Sequence, residues 1–226
     1  NKKFLISYPI LFSLMNIAII SSSKDSAGLN IRNNLIGLSG FEKTGEKFES
    51  NDVFELNEIP DKKIKLYLTN DELVYSENID KRIDADILIF ASKHRSKENT
   101  PSFAVHAIGN WDKAALGGRE RRLCMSSAVL LKNLFIELNE NGKNSGFEIT
   151  LEATHHGPYV EKPAVFVEIG STEKEWNGKE NGEIIAKTIM GALENENNNY
   201  KIAVGIGGPH YCSNFNKAVL KTDIAL

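Results

Sequence analysis

Short apolar runs of strand length, nearly continuous and rich in β-branched residues, constrain this chain more than any other feature. They are NIAIIS from Asn16, KIKLYLT from Lys63, DILIFAS from Asp86, FEITLEAT from Phe147, AVFVEIG from Ala164 and KIAVGIG from Lys201. A strand with one wet face alternates apolar and polar residues, so unbroken runs belong to strands covered on both faces. Helix-like stretches lie between them at Ala27 to Leu38, Arg119 to Asn139, Gly182 to Glu194 and Asn214 to Thr222. Strand alternating with helix predicts an α/β fold with a mixed, largely parallel sheet flanked by helices. The charged stretch Phe41 to Glu58 reads as a surface excursion with a short strand at Val53 to Leu56, and ENENNNY from Glu194 as a solvated turn. No repeat and no Pro/Ser/Gly-rich linker divides the chain, so residues 15–226 read as a single compact domain.

Asn1 to Leu14 reads as an upstream extension, with Met15 a candidate start. Its run FLISYPILFSLMNIAII imitates a signal peptide or weak membrane anchor, but Ser7, Pro9, Ser13 and Asn16 interrupt it, and stable membrane association is not expected. Lysine and arginine number 27 against 30 aspartates and glutamates, a net charge of -3. No global basic field grips nucleic acid, and such a partner must be met by a local patch. Cys124 and Cys212 form no CxxC, which excludes a four-cysteine zinc site and a secreted disulfide framework and makes a reducing, cytoplasmic compartment the expectation. Cys124, in RRLCMSSAVLLKNLFIEL, reads as core packing on a helix face; Cys212 is open between packing and a role as ligand or nucleophile. The chain has no G-x-S-x-G elbow, Walker loop, H-E-x-x-H helix or full GxGxxG, against serine hydrolases, P-loop NTPases, zincins and dinucleotide oxidoreductases.

Histidine usage carries the chemical signal. Only five occur, His94, His106, His155, His156 and His210, and each lies in a strand-end or loop-like segment, whereas about a third of randomly placed residues would fall in helices. SKHRSKENTP after the DILIFAS strand bears His94 with Lys93, Arg95 and Lys97, and FAVHAIGNW follows with His106. Loops leaving the carboxyl ends of strands form the ligand crevice of open α/β sheets. The same charges also suit a plain solvated turn. EATHHGPYVEKPAVFVEIGSTEKEW places His155 and His156 in a Gly-Pro turn after Glu152, with Glu168 near the end of the next strand. Imidazoles beside carboxylates suit zinc, although histidines that merely cap a turn would read the same way. GIGGPHYCSNF carries His210 on a glycine-rich turn. A pocket where these groups converge is the expected site.

SKHRSKENTPSFAVHAIGN, LEATHHGPY, FVEIGSTEKEW and GIGGPHY, with NIAIISSSKDSAGLNI before them, resemble the archaeal and plant type of D-aminoacyl-tRNA deacylase from about Met15 to the end. The resemblance implies a zinc-dependent hydrolase that cleaves the ester between a D-amino acid and the 3′ ribose of tRNA, a chiral proofreading step in translation. It also implies a fold akin to phosphorylases and peptidyl-tRNA hydrolases. On that reading His94, His106, His155, His156, His210 and Glu152 supply metal ligands, while His155, His156, Glu168 and His210 are candidate catalytic groups that orient water or move protons. Lys93, Arg95 and Lys97 would hold phosphates of the aminoacyl-tRNA acceptor end, and Tyr159 or Tyr211 would stack on its terminal adenine. A monomer is compatible with this reading. Two departures stand out: the family continues beyond KTDIAL, so the chain looks truncated at Leu226, and Cys212-Ser213 replace a small residue and proline after His210-Tyr211. The rivals are a nucleoside phosphorylase or metallopeptidase of similar fold, and a non-catalytic RNA-binding module. The phosphorylase predicts phosphate-dependent release of free base, and the module predicts binding without turnover.

Overall fold

The apolar runs assemble into an eight-stranded sheet in the computed structural model, which describes residues 14–38 and 40–226. Residues 1–13, and with them most of the upstream extension, lie outside the described residues. The elements run β1 (Met15–Ser22), α1 (Ser26–Gly37), β2 (Glu42–Phe48), β3 (Asn51–Leu56), β4 (Lys62–Thr69), β5 (Ile87–His94), β6 (Ser102–His106), β7 (Gly109–Asn110) and β8 (Arg122–Leu123). They continue with α2 (Ala128–Gly142), β9 (Glu148–Leu151), β10 (Ala164–Gly170), α3 (Glu173–Asn177), α4 (Lys179–Glu194), β11 (Lys201–Ile202), α5 (Ser213–Lys221) and β12 (Ile224–Ala225). The main sheet is ordered β2-β3-β4-β1-β5-β10-β6-β9. Strands β4, β1, β5 and β10 are mutually parallel, β6 runs antiparallel to β10, and β2 and β3 close one edge as an antiparallel hairpin. The sheet is mixed and largely parallel, as the alternation of runs predicts.

Alternate residues of each central strand feed two cores. Ile17, Ile19, Ile89 and Val167 pack beneath α1, α2 and α4. Ile20, Phe90 and Phe166 point the other way, covered by the short 3-10 turns Leu73–Tyr75 and Ile79–Lys81 and by Val160. Helices thus occupy one face, and short loops cover the other. The candidate site residues lie on the loop-covered side, where a cavity can open.

Three expectations are corrected. Arg119 to Ser127 is not helical: Gly117 and Gly118 take positive φ, Arg122 pairs with Asn110 across β7 and β8, and α2 starts only where the Ser127 side chain accepts from Leu130 N. Cys124 therefore sits in a loop and not on a helix face, still packed against the core on the loop-covered side, its thiol donating to Pro158 O. KIAVGIG does not enter the sheet. Only Lys201–Ile202 is extended, paired with β12, while Val204 and Ile206 are exposed. The place beside β9 is taken instead by the turn entering α5: Cys212 N donates to Leu151 O, Asn216 Oδ1 accepts from Leu151 N, and Ala153 N donates to His210 O. The charged excursion is the β2–β3 hairpin, whose polar residues face water at the sheet edge.

Buried Lys132 on α2 locks this end of the chain. Its ammonium donates to Val219 O, Thr222 O and Ile224 O at 2.6 to 2.9 Å. Lys132→Met strands three carbonyls without a donor and is expected to cost about 2–4 kcal/mol in chemical denaturation. A loss below about 0.5 kcal/mol would show that the ammonium does not hold this end.

Candidate active site

The site is built on the carboxyl ends of β5 and β10. In register, Glu168 lies opposite Ser92, Gly170 opposite His94, and Phe166 opposite His106 of antiparallel β6. Because strand side chains alternate, these positions share the face away from the helices. A side chain at 170 would collide with the ring it faces, its Cβ falling 2.8 Å from His94 Cδ2, so glycine makes room there. Glu152 follows β9 and bridges to Tyr211, which brings His210 to the cluster, while the turn carrying His155 and His156 folds back so that Gly109 N donates to His156 O.

Seven residues converge. His94 Nδ1 lies 3.3 Å from Glu152 Oε1 and 3.5 Å from Glu168 Oε2. His106 Nε2 lies 3.5 Å from Glu168 Oε2 and 3.9 Å from Glu152 Oε2; His155 Nε2 is 3.9 Å from that same Glu152 oxygen, and His210 Nε2 is 3.6 Å from its Oε1. His156 completes the group, its ring 5.0 Å from that of His106 and 4.3 Å from that of His155. Phe166, stacked on Phe90 at 4.7 Å, supports the rings of His106 and His156 from below.

Backbone contacts fix which nitrogens face inward. His106, His155 and His156 each direct Nδ1 at a carbonyl, of Ala107, Ala153 and Gly157 respectively, at 2.6 to 2.9 Å. With Nδ1 turned to a carbonyl, each ring presents Nε2 to the cluster, the orientation of metal-ligating histidines. His94 is placed from outside, its Nε2 bonded to the Tyr211 hydroxyl and its carbonyl accepting from Trp176 Nε1.

The electrostatics split the imidazoles. Burial drives His155 down to about 2 and His156 to about 4, with His106 adding to both, so these two are neutral. Burial opposes the charged forms of His94 and His106 as well, yet Glu168 and Glu152 together outweigh it and raise both above the ordinary histidine value. Burial would raise Glu168, but the same two histidines hold it far below the usual carboxylate range.

The residues fit a metal ion. His106 Nε2 and both oxygens of Glu152 are buried without a hydrogen-bond partner, a costly arrangement unless a cation meets them. Three groupings have ligand atoms within 4.8 Å of one another: His106, His155 and His156; Glu152, His155 and His210; and His94, Glu152 and Glu168. Nitrogen and carboxylate donors together suit a divalent ion such as zinc.

Lys93 and Arg95 line the cavity in front of the cluster, of about 560 Å³, and Lys97 lines a groove adjoining it. The two tyrosines stand outside that cavity. Tyr159 lies under the Arg119 guanidinium at 4.1 Å, and Tyr211 is engaged with His94. Cys212 is buried against the core at the start of α5, and burial, with Glu152 adding to it, raises its thiol and so keeps it protonated; it joins none of the ligand groupings.

Sequence reasoning missed several supporting residues. Asp25 caps α1 through Gly28 N and accepts from Ser92 Oγ and Lys93 N, tying the first helix to the end of β5; an aspartate just before a helix was a readable cap signal. Glu77 accepts from Gly118 N and Tyr159 N and so clamps the imidazole turn to the glycine loop, which no local pattern announces.

Comparison with known proteins places this geometry. A family model described as D-aminoacyl-tRNA deacylase matches residues 81–226. A D-aminoacyl-tRNA deacylase of Pyrococcus abyssi is 37% identical over 92% of this chain and 77% of its own length. One from Archaeoglobus fulgidus is 36% identical over 90% and 73%. A crystal structure of a conserved protein of unknown function superposes with a TM-score of 0.85 at 34% identity, covering 93% of this chain and 74% of that one.

Proposed function

The chain belongs to the D-aminoacyl-tRNA deacylase family, and from that premise we propose that the imidazole–carboxylate cluster is a zinc-binding catalytic centre that hydrolyses the ester of D-aminoacyl-tRNA. Hydrolysis of that ester is the reaction of the family. The observation supporting the metal is the Glu152 carboxylate, buried among four imidazoles with neither oxygen hydrogen-bonded.

His106, His155 and His156, or His94, Glu152 and Glu168, would hold the ion, which when bound supplies a Lewis acid and, with a position left for water, lowers the pKa of that water. Glu152 joins two donor sets, since Oε1 faces His94 and His210 while Oε2 faces His106 and His155. His210 is half-exposed at the mouth, and its Nε2 is the atom placed to take a proton from water and return it to the leaving ribose oxygen. An aminoacyl ester is already reactive, so orientation and proton transfer suffice without a protein nucleophile. Tyr211 and Trp176 orient His94. Lys93, Arg95 and Lys97 bind phosphates of the acceptor end, giving an affinity that falls with salt despite the negative net charge. The cytoplasm, where tRNA is charged, is the compartment this reading implies. Among the described residues no helix is long and apolar enough to cross a membrane.

Incubation with D-tyrosyl-tRNA and L-tyrosyl-tRNA, with and without a chelator, tests the reading. The expected result is selective loss of the D-ester, abolished by chelator and restored by zinc. Equal loss of both epimers removes the deacylase assignment, and turnover indifferent to chelator removes the metal.

A further inference from the structure

Resting on the deacylase reading, we propose that Leu73, Val74 and Leu116 form the subsite for the terminal adenine of the tRNA 3′ end, reached along the groove lined by Arg95, Lys97 and Thr172. These three apolar residues line the same cavity as the cluster. Leu116 is 48% exposed, an aliphatic side chain left in water on the wall of a polar site. It also lines the adjoining groove with Arg95, Lys97 and Thr172, so Leu116 and Arg95 join the two depressions.

The wall is held at a fixed distance from the cluster. Gly157, next to His156, donates from its N to Leu116 O at 3.0 Å. Gly117 and Gly157 press against the Val74 carbonyl so closely that a Cβ at either would lie 1.6 or 2.6 Å from its oxygen. Leu116 and Val74 are thereby coupled through backbone to the turn that presents His155 and His156.

The chemistry of the substrate favours adenine as the occupant. A deacylase that accepts different D-amino acids must grip the part all its substrates share, and every tRNA ends in the same 3′ adenosine. A purine offers an apolar face to aliphatic side chains, while the phosphodiester preceding it needs cations, which Arg95 and Lys97 supply on the groove side of Leu116. Tyr159 lies under Arg119 and the Tyr211 hydroxyl is bonded to His94, and neither tyrosine lines this cavity.

Leu116→Ala, at a half-exposed position, tests the assignment by kinetics and by calorimetric titration with AMP. The expected result is a rise in KM of about tenfold with kcat within about twofold, by the same factor for D-tyrosyl-tRNA and D-alanyl-tRNA, and AMP binding weakened by the same factor. A loss confined to D-tyrosyl-tRNA would assign the wall to the amino-acid side chain, and unchanged KM with unchanged AMP binding would leave it no role; either overturns the subsite. No turnover of any D-aminoacyl-tRNA by the unmodified protein would instead sink the deacylase reading, and the AMP titration then decides the subsite alone: weaker AMP binding in the variant supports it, and AMP failing to bind the unmodified protein overturns it.

Discussion

Glu152→Gln is expected to lower kcat/KM for D-aminoacyl-tRNA by on the order of 10³-fold or more and to abolish stoichiometric metal binding, while leaving the metal-free protein folded. The carboxylate faces imidazole nitrogens at 3.3 to 3.9 Å without a hydrogen bond on either oxygen. A glutamine of the same shape keeps the packing and offers N–H donors to the neutral rings of His155 and His156, so in chelator the fold should be retained. Loss of activity through misfolding would lower the melting temperature instead. Metal content by elemental analysis, steady-state kinetics and a thermal melt in chelator separate the outcomes. Near-normal turnover with a full complement of metal would remove Glu152 from the centre.

Phe166→Ala should have the largest effect on stability, about 3–5 kcal/mol and roughly 10 °C in melting temperature. Phe166 is fully buried in the middle of β10, stacked on Phe90, and lies 5.4 Å from the ring of His106 and 5.0 Å from that of His156. Its removal leaves a cavity directly beneath two ligand candidates, so metal affinity should fall together with stability. Phe166→Leu, which fills most of the volume, should recover most of both losses. A truncation that destabilises the fold yet leaves metal affinity unaltered would mean that the rings are held by their carbonyl contacts alone.

The strands buried on both faces were legible because their apolar runs have no other good home: β1, β4, β5, β9 and β10 fall on NIAIIS, KIKLYLT, DILIFAS, FEITLEAT and AVFVEIG. KIAVGIG has the same composition and stays outside the sheet, since the edge it would join is already hydrogen-bonded by residues 210–216. Central β6 was not read as a strand, because SFAVH is five residues long and follows Thr100-Pro101, too short for a period to show. Arg119 to Ser127 has helix-forming composition, yet β7–β8 pairing and two positive-φ glycines hold it as a loop.

At the site, residue type was legible and role was not. His94, His106, Glu152, His155, His156, Glu168 and His210 stood out because imidazoles and acids gathered at strand ends are rare in a chain with so few histidines. Tyr159 and Tyr211 looked equally suited to a base, and only their neighbours show that one lies under Arg119 while the other holds His94. Leu73, Val74 and Leu116 carry no signal in isolation, as an aliphatic residue acquires meaning from what it lines.

The sequence by itself determined the class of fold, the family and the inventory of chemical groups, since these follow from local apolar runs and from short motifs in order. Tertiary structure alone decided that β5, β10 and β6 lie side by side with His94, Glu168 and His106 on one face, that Glu152 meets four imidazoles across more than a hundred residues of chain, and in which direction each buried imidazole shifts. The physical reason is that strand register and burial are properties of neighbours. A carboxylate is unremarked in the chain and becomes a ligand only where packing takes away its water and leaves no donor in its place.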